Sequence, residues 1–450
     1  MKYLVKRVIP VVGERFTPFR LCWLTVLILV FTHAGNAREY SLQQAIDEAQ
    51  RIDPWLQASE FREQGLLAKS VSEGSLPDPG VSIGVANLPV DSFDFNQEAM
   101  TQFKVGINQM FPRGNTRALK EEKFERLSQM QPLMREDRKA KVAVQVSHLW
   151  LEVFRSQKTL AIIDENRNLF EHLVEVAQSS YTAALGKTSQ QDFVRAQLEL
   201  TRLDDRLTKL KMMLDSQKAL LGEWLQHTGS DLTISMNTDV NRLVALSSDF
   251  KAPNTEQLGQ ILSAHPMIRS INQKIEASET DVELSRQNYK PQWGVNASYA
   301  YRGDDPMGNT RSDFFSAGLS FDLPLFAANR QDKQTQAAVA EFESVKTERA
   351  LALRKMRAEF ESAEARFYRL LERRSLFDQR LLKEMADQAE ASLNAYTNNN
   401  GDFAEVVRAR IAELNARIEA LNIAIDIQKT KAQLHYFLLA DHDQEENQHE

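Results

Sequence analysis

The chain has 450 residues, 26% of them charged, a formal net charge of −7, a mean hydropathy of −0.42 and one cysteine. An acidic balance is a poor match for nucleic-acid binding, which needs a basic stripe, and a lone cysteine excludes a disulfide framework. No apolar run of about 18 residues follows residue 37, so no transmembrane helix is predicted.

Residues 1–37 read as a secretory signal peptide. Lys2, Lys6, Arg7, Arg15 and Arg20 precede an apolar run, LCWLTVLILVF, and small residues follow up to Ala37. The shortness of the run argues against the alternative, an uncleaved anchor. Cys22 lies inside the run behind Arg20 and Leu21 rather than behind small residues, so no lipid anchor is expected there. Removing this segment takes five basic residues and one acidic residue from totals of 55 and 62, which leaves 50 and 61 and a net charge of −11. That balance suits an exported protein or a cation path.

The remainder is one unit written twice. Pro54, Pro79 and Pro112 recur at a constant offset as Pro266, Pro291 and Pro324, and the text around them matches: FKVGINQMFP faces FSAGLSFDLP. The spacing predicts a first repeat over 38–228, a linker over 229–254, a second repeat over 255–440 and a polar tail over 441–450.

Each repeat opens with a helix, then two strands, near 81–88 and 101–111 and again near 293–302 and 313–323. In DFFSAGLSFDLPLF the residues Phe315, Ala317, Leu319, Phe321 and Leu323 share one face. Phe314, Ser316, Gly318, Ser320 and Asp322 share the other, a period of two with one apolar and one mostly small or polar face. Polar, turn-rich loops join each pair.

Long helical stretches come next. No Gly or Pro interrupts 133–185, 325–400 or 402–450. A helix spanning the second stretch would be about 115 Å long. Val142, Val146, Leu149, Val153, Ser156, Leu160, Ile163, Arg167, Phe170, Val174, Ala177 and Tyr181 follow four-three steps, a coiled-coil seam. The breaks YTAALGKTSQQDF and YTNNNGDFAEV read as tips of antiparallel helical hairpins, with Gly186 and Asn398–Gly401 as left-handed helix ends and Thr188, Ser189 and Asp402 as cap candidates.

Four such strands have the alternation of an outer-membrane barrel, but an open sheet in lipid leaves unpaired edges. Four are also fewer than the eight of the smallest single-chain barrels. The chain must then share a barrel with copies of itself, and three copies give twelve strands. The alternative on pattern alone is a soluble sheet covered by helices.

The plan and wording resemble the TolC family of outer-membrane efflux channels, over essentially the whole chain beyond residue 37. The matching text includes LPDPGVSIGVANLP, QMFPRGNTR, YTAALGKTSQQDFVRAQLELTRLDDRL, YKPQWGVNASYAYR and DLPLFAANRQ. The resemblance implies a mainly α fold with a β-barrel contribution. It implies a homotrimer with a twelve-stranded barrel among outer-membrane lipids, continued by a twelve-helix α-barrel in the periplasm. It also implies a periplasmic adaptor protein and an inner-membrane pump as partners. The LPDP and SQQDFVRAQ wording is most similar to the branch serving heavy-metal pumps of the resistance-nodulation-division type. Some members of that branch carry a lipidated cysteine, and this sequence departs from them there.

No HExxH, GxSxG, P-loop or dinucleotide fingerprint is present, so neither an enzyme nor a cofactor is expected. His435, His442 and His449 sit among acidic residues near the C-terminus, where a solvated, frayed end is a stronger reading than a metal site. In the resembled family the periplasmic helix ends close the tunnel and acidic residues narrow it. Residue by residue this implies Glu405 as a constriction residue, against the alternative of a plain solvated-face residue, with Asp192 as its counterpart in the first repeat, where a cap or surface role is the stronger reading, and Asp402 as a ring member or a helix cap. Three Glu405 carboxylates around a threefold axis would favour cations. Arg408 stands where relatives carry an acid, which predicts a weaker or salt-bridged ring. Gly186, Lys187, Thr188, Ser189, Asn399, Asn400 and Gly401 would meet the adaptor, or only turn the chain. Three functions follow: an exit duct for metals or drugs, a duct for a secreted polypeptide, and a non-conducting spacer.

Overall fold

The computed structural model describes residues 39–182, 190–227, 231–236, 239–244, 250–398 and 400–439. The segment 1–37, the tip residues Gly186, Lys187, Thr188, Ser189 and Asn399, and the tail 441–450 lie outside them.

The elements repeat. The first set is β1 (Glu39–Tyr40), α1 (Leu42–Ile52), α2 (Pro54–Gly74), β2 (Gly80–Ala86), β3 (Gln102–Phe111), α3 (Thr116–Thr182) and α4 (Gln190–Leu225). The second is β4 (Thr233–Ile234), α5 (Thr255–Ala264), α6 (Pro266–Gln287), β5 (Trp293–Tyr301), β6 (Phe314–Phe321), α7 (Gln331–Leu376), α8 (Leu382–Thr397) and α9 (Phe403–Phe437). The duplication extends to the helix caps. Ser41 and Asn254 each form a capping box, with Gln44 and Gln257 respectively. Asp53 and His265, each followed by proline at the first helical position, cap α2 and α6.

Helix α3 is a single 67-residue helix that begins well before Pro132 and accommodates it. An interior proline costs about 3 kcal/mol, and packing against α2, α4, α6 and α9 offsets it. The heptad residues from Val142 to Ala177 are buried or half-buried, so the four-three seam is the packed face of α3. The stretch 325–400 is not one uniform helix. A 3-10 turn at Ala327–Asn329 precedes α7, and a π-helical turn at Phe377–Leu381 joins α7 to α8. A π turn is one extra residue in an otherwise continuous helix and has no composition signal.

Three apolar clusters hold the helices together. Trp150 and Phe154 of α3 stack at 5.3 Å amid Leu42, Leu221, Leu225, Leu232, Ile234 and Ile425. Phe360 and Phe367 of α7 pack with Leu258, Ile268, Ile423 and Leu434. Phe170 and Leu173 of α3 meet Ala196 and Leu203 of α4 and Phe403 and Val406 of α9. Within 229–254, Leu232 and Ile234 belong to the first cluster, and Phe250 and Ala252 pack against the second. Strand β4 pairs in parallel with β1, Tyr40 beside Ile234, and Trp150 Nε1 donates to the Tyr40 carbonyl at 3.0 Å.

Strands β2, β3, β5 and β6 form one antiparallel sheet in the order β2-β3-β5-β6. The register aligns Ile83, Val105, Tyr299 and Phe315 across all four strands. Val81, Ile107, Ala297 and Ala317 form the next row of that face, and Val295 with Leu319 continues it. The other face carries Ser82, Gly106, Ser298 and Ser316, with Gly80, Asn108, Asn296 and Gly318 beside them. Phe315, Leu319 and Ile83 are 74%, 72% and 69% exposed, so the apolar face is bare.

Candidate functional site

Two surfaces are candidate sites: the turn between α8 and α9, and the sheet. At the tip, α8 ends with the Asn398 N–H on the Asn394 carbonyl (3.1 Å) and the Asn400 N–H on the Ala395 carbonyl (2.9 Å). No described residue of this turn has a positive φ; Asn398 is at −88°. The left-handed end expected of Asn398, Asn400 and Gly401 is therefore absent from them. Gly401 is required for a steric reason instead: a Cβ there would lie 2.7 Å from the Tyr396 backbone nitrogen and 2.9 Å from the Ala395 carbonyl carbon. The turn doubles back against the last turn of α8.

Asp402 is a helix cap. Its Oδ1 accepts from the Ala404 N–H at 3.0 Å, where the positive end of the helix dipole favours a carboxylate. Phe403 is buried and meets Tyr396 edge-on at 5.4 Å. Val406 and Val407 are buried on the same side. Burial of that side turns Asp402, Glu405 and Arg408, spaced by three, onto the opposite face. Arg408 Nη1 lies 2.8 Å from Glu405 Oε2, and the Glu405 side chain is 47% exposed. Asp192 lies half-buried in the first turn of α4, on the other hairpin.

Charged groups absent from the sequence-based site line the helix packing above the tip. Glu413 is buried between Arg410 (2.9 Å) and Arg417 (2.6 Å), and Arg206 of α4 donates to Asn415 at 2.8 Å. Farther along, Glu152 of α3 takes Lys429 of α9 and Arg155 as partners. Burial pushes the Lys429 ammonium down to about 8 and the Asp426 carboxyl up. The spacing of Arg410, Glu413 and Arg417 on one helix was the available signal for the first group. The second joins residues of two distant helices and had none.

Among the described residues no helix is long and apolar enough to cross a membrane, and no group of three His, Cys, Asp or Glu could hold a metal ion. The chemistry on offer is a charged hairpin tip, long helical walls and a sheet with one apolar face.

The fold is that of outer-membrane channels. CusC, from a crystallographic study of its folding and transmembrane channel formation, superposes with a TM-score of 0.74 at 15% identity, covering 89% of this chain and 92% of its own. VceC of Vibrio cholerae gives 0.70 at 14% identity, covering 88% and 95%. The open state of the MtrE channel of Neisseria gonorrhoeae gives 0.67 at 13%, covering 88% of each. No curated protein matches the chain in sequence. Residues 258–438 match the family model described as outer membrane efflux protein.

Proposed function

We propose that the chain is one third of a trimeric exit duct of a tripartite efflux pump. It would pass substrate passively from a periplasmic adaptor and an inner-membrane resistance-nodulation-division pump to the outside. The carrying observation is the open sheet. Strands β2 and β6 each have only one neighbour, and the apolar face is bare. In lipid such edges must be closed. An even number of antiparallel strands lets β6 of one copy pair with β2 of the next without breaking the alternation, and three copies close a twelve-stranded barrel.

In this reading the 38–228 and 255–440 repeats each supply one hairpin of the periplasmic tunnel. Glu405 lines the constriction, moderated by Arg408, and Asp402 and Asp192 stand at the two helix starts. The residues Gly186, Lys187, Thr188, Ser189, Asn399, Asn400 and Gly401 face the adaptor. Heavy-metal cations are the proposed cargo, on the LPDP and SQQDFVRAQ wording.

Native mass spectrometry and planar-bilayer recording test this. The expected results are a trimer, a small cation-favouring conductance, and a larger conductance in Glu405→Ala. Well-folded trimers that never conduct, with or without that substitution, would instead mark a non-conducting spacer.

A further inference from the structure

Lys104 is the only charged residue in the four strands of the sheet. The register fixes its side: it pairs with Gly84 and Ala300, and Ala300 pairs with Phe314, all on the face of Ser82, Asn108 and Asn296. It is exposed and forms no ion pair among the described residues. Two residues beyond Ala300, the Arg302 guanidinium lies over the Phe314 ring at 4.3 Å, on the same face. Among the described residues Arg302 also has no carboxylate in ion-pair contact. The nearest acidic group, Asp313, accepts from the Arg302 backbone N–H at 3.0 Å and from the Tyr299 hydroxyl, on the apolar side.

An apolar outer face requires that this second face line the lumen. We propose that Lys104, with Arg302 above it, is a selectivity-determining residue of the outer barrel, three copies forming a cationic ring that favours anions. The inference rests on the trimeric-duct reading and adds to it: the barrel carries the opposite sign to the Glu405 constriction. Small anions and anionic complexes pass the ring more readily than free cations, since fixed charge close to a permeating ion in a narrow pore biases selectivity. Its cross-strand partners Gly84 and Ala300, and Gly106 and Ser298 in the next row, are small and carry no carboxylate.

Two measurements on the full-length chain test this. The first is the reversal potential in a KCl gradient for wild type, Lys104→Gln, Lys104→Arg and Lys104→Glu, each also with Glu405→Ala so that the tip does not dominate. The expected result is a cation-to-anion permeability ratio that rises about threefold or more from Lys104 to Glu, with Gln between and Arg unchanged. Equal ratios in all four overturn the inference and leave the duct intact. The second is labelling of Lys104→Cys and Val105→Cys in liposomes by a charged, water-soluble maleimide. Reaction at 104 and protection at 105 is expected. The reverse pattern overturns the lumen assignment. Reaction at both positions shows a sheet with no lipid face and overturns the duct reading as well.

Discussion

Arg408 and Glu405 form an ion pair of 2.8 Å one turn apart on α9, on the face that the buried Phe403 side leaves exposed. The carboxylate proposed to narrow the tunnel is therefore matched by a cation on its own helix. A ring of three such pairs carries far less field than three bare carboxylates, and the pair is open to solvent and salt.

Removing Arg408 should expose that field. Arg408→Ala is expected to raise cation selectivity while changing stability by no more than about 0.5 kcal/mol, the usual worth of an exposed helical pair. Reversal potentials report the first and urea unfolding the second. An unchanged selectivity places the constriction elsewhere.

Gly401 should tolerate no side chain. A Cβ would meet the backbone of Ala395 and Tyr396, which cannot move aside as a flexible side chain does. Gly401→Ala is expected to open the turn and cost about 1–3 kcal/mol locally. Hydrogen exchange at the amides of Asn398 and Asn400 should quicken, and exchange in the Trp150 cluster should not.

Asp53 does two jobs. Oδ1 accepts from the Trp55 N–H at 3.0 Å, and Oδ2 takes the Arg138 guanidinium at 2.7 Å, with the carboxylate almost fully buried. Asp53→Ala is expected to cost about 2–3 kcal/mol, from the lost cap and a partly buried cation left unpaired. Asp53→Asn keeps the cap and should recover about 1 kcal/mol of that. Denaturant midpoints of the three proteins give the comparison.

Stability should fall in mild acid. Burial holds His265 below the usual histidine range, partly offset by the Tyr436 carbonyl, which accepts from Nε2 at 2.9 Å, and by Asp137, while Lys141 lowers it further. Burial likewise lowers His148. Above about pH 6.5 both imidazoles are neutral in folded and unfolded chains alike. Below it the unfolded chain takes up protons that the folded chain refuses, so stability declines as pH falls toward the folded values. The slope is up to about 1.4 kcal/mol per pH unit for each histidine. Nδ1 of His265 accepts from the Met267 N–H, so its protonation also removes the α6 cap. His265→Asn retains a capping oxygen and cannot titrate. Its urea midpoint should vary less with pH than that of wild type.

The sequence by itself determined the duplication, the helix–strand–strand–hairpin plan and the two faces of the sheet. These are local, periodic properties: alternation by two in FSAGLSF and four-three steps along Val142–Ala177 are dictated by strand and helix geometry wherever the segments end up. The offset prolines marked the repeats, but not that Asp53 and His265 would serve as equivalent caps, because the two side chains share only an acceptor atom. The tertiary structure alone decided the rest. Tyr40 finds Ile234, Glu152 finds Lys429, and Lys104 comes to share a face with Phe314 through two intervening pairings. Each joins residues far apart in the chain, where register and burial in the folded chain choose the partner and local pattern does not. At the tip the sequence offered Asp402 as a cap and Arg408 as a partner of Glu405, and burial of Phe403 fixes the side of α9 on which both face out.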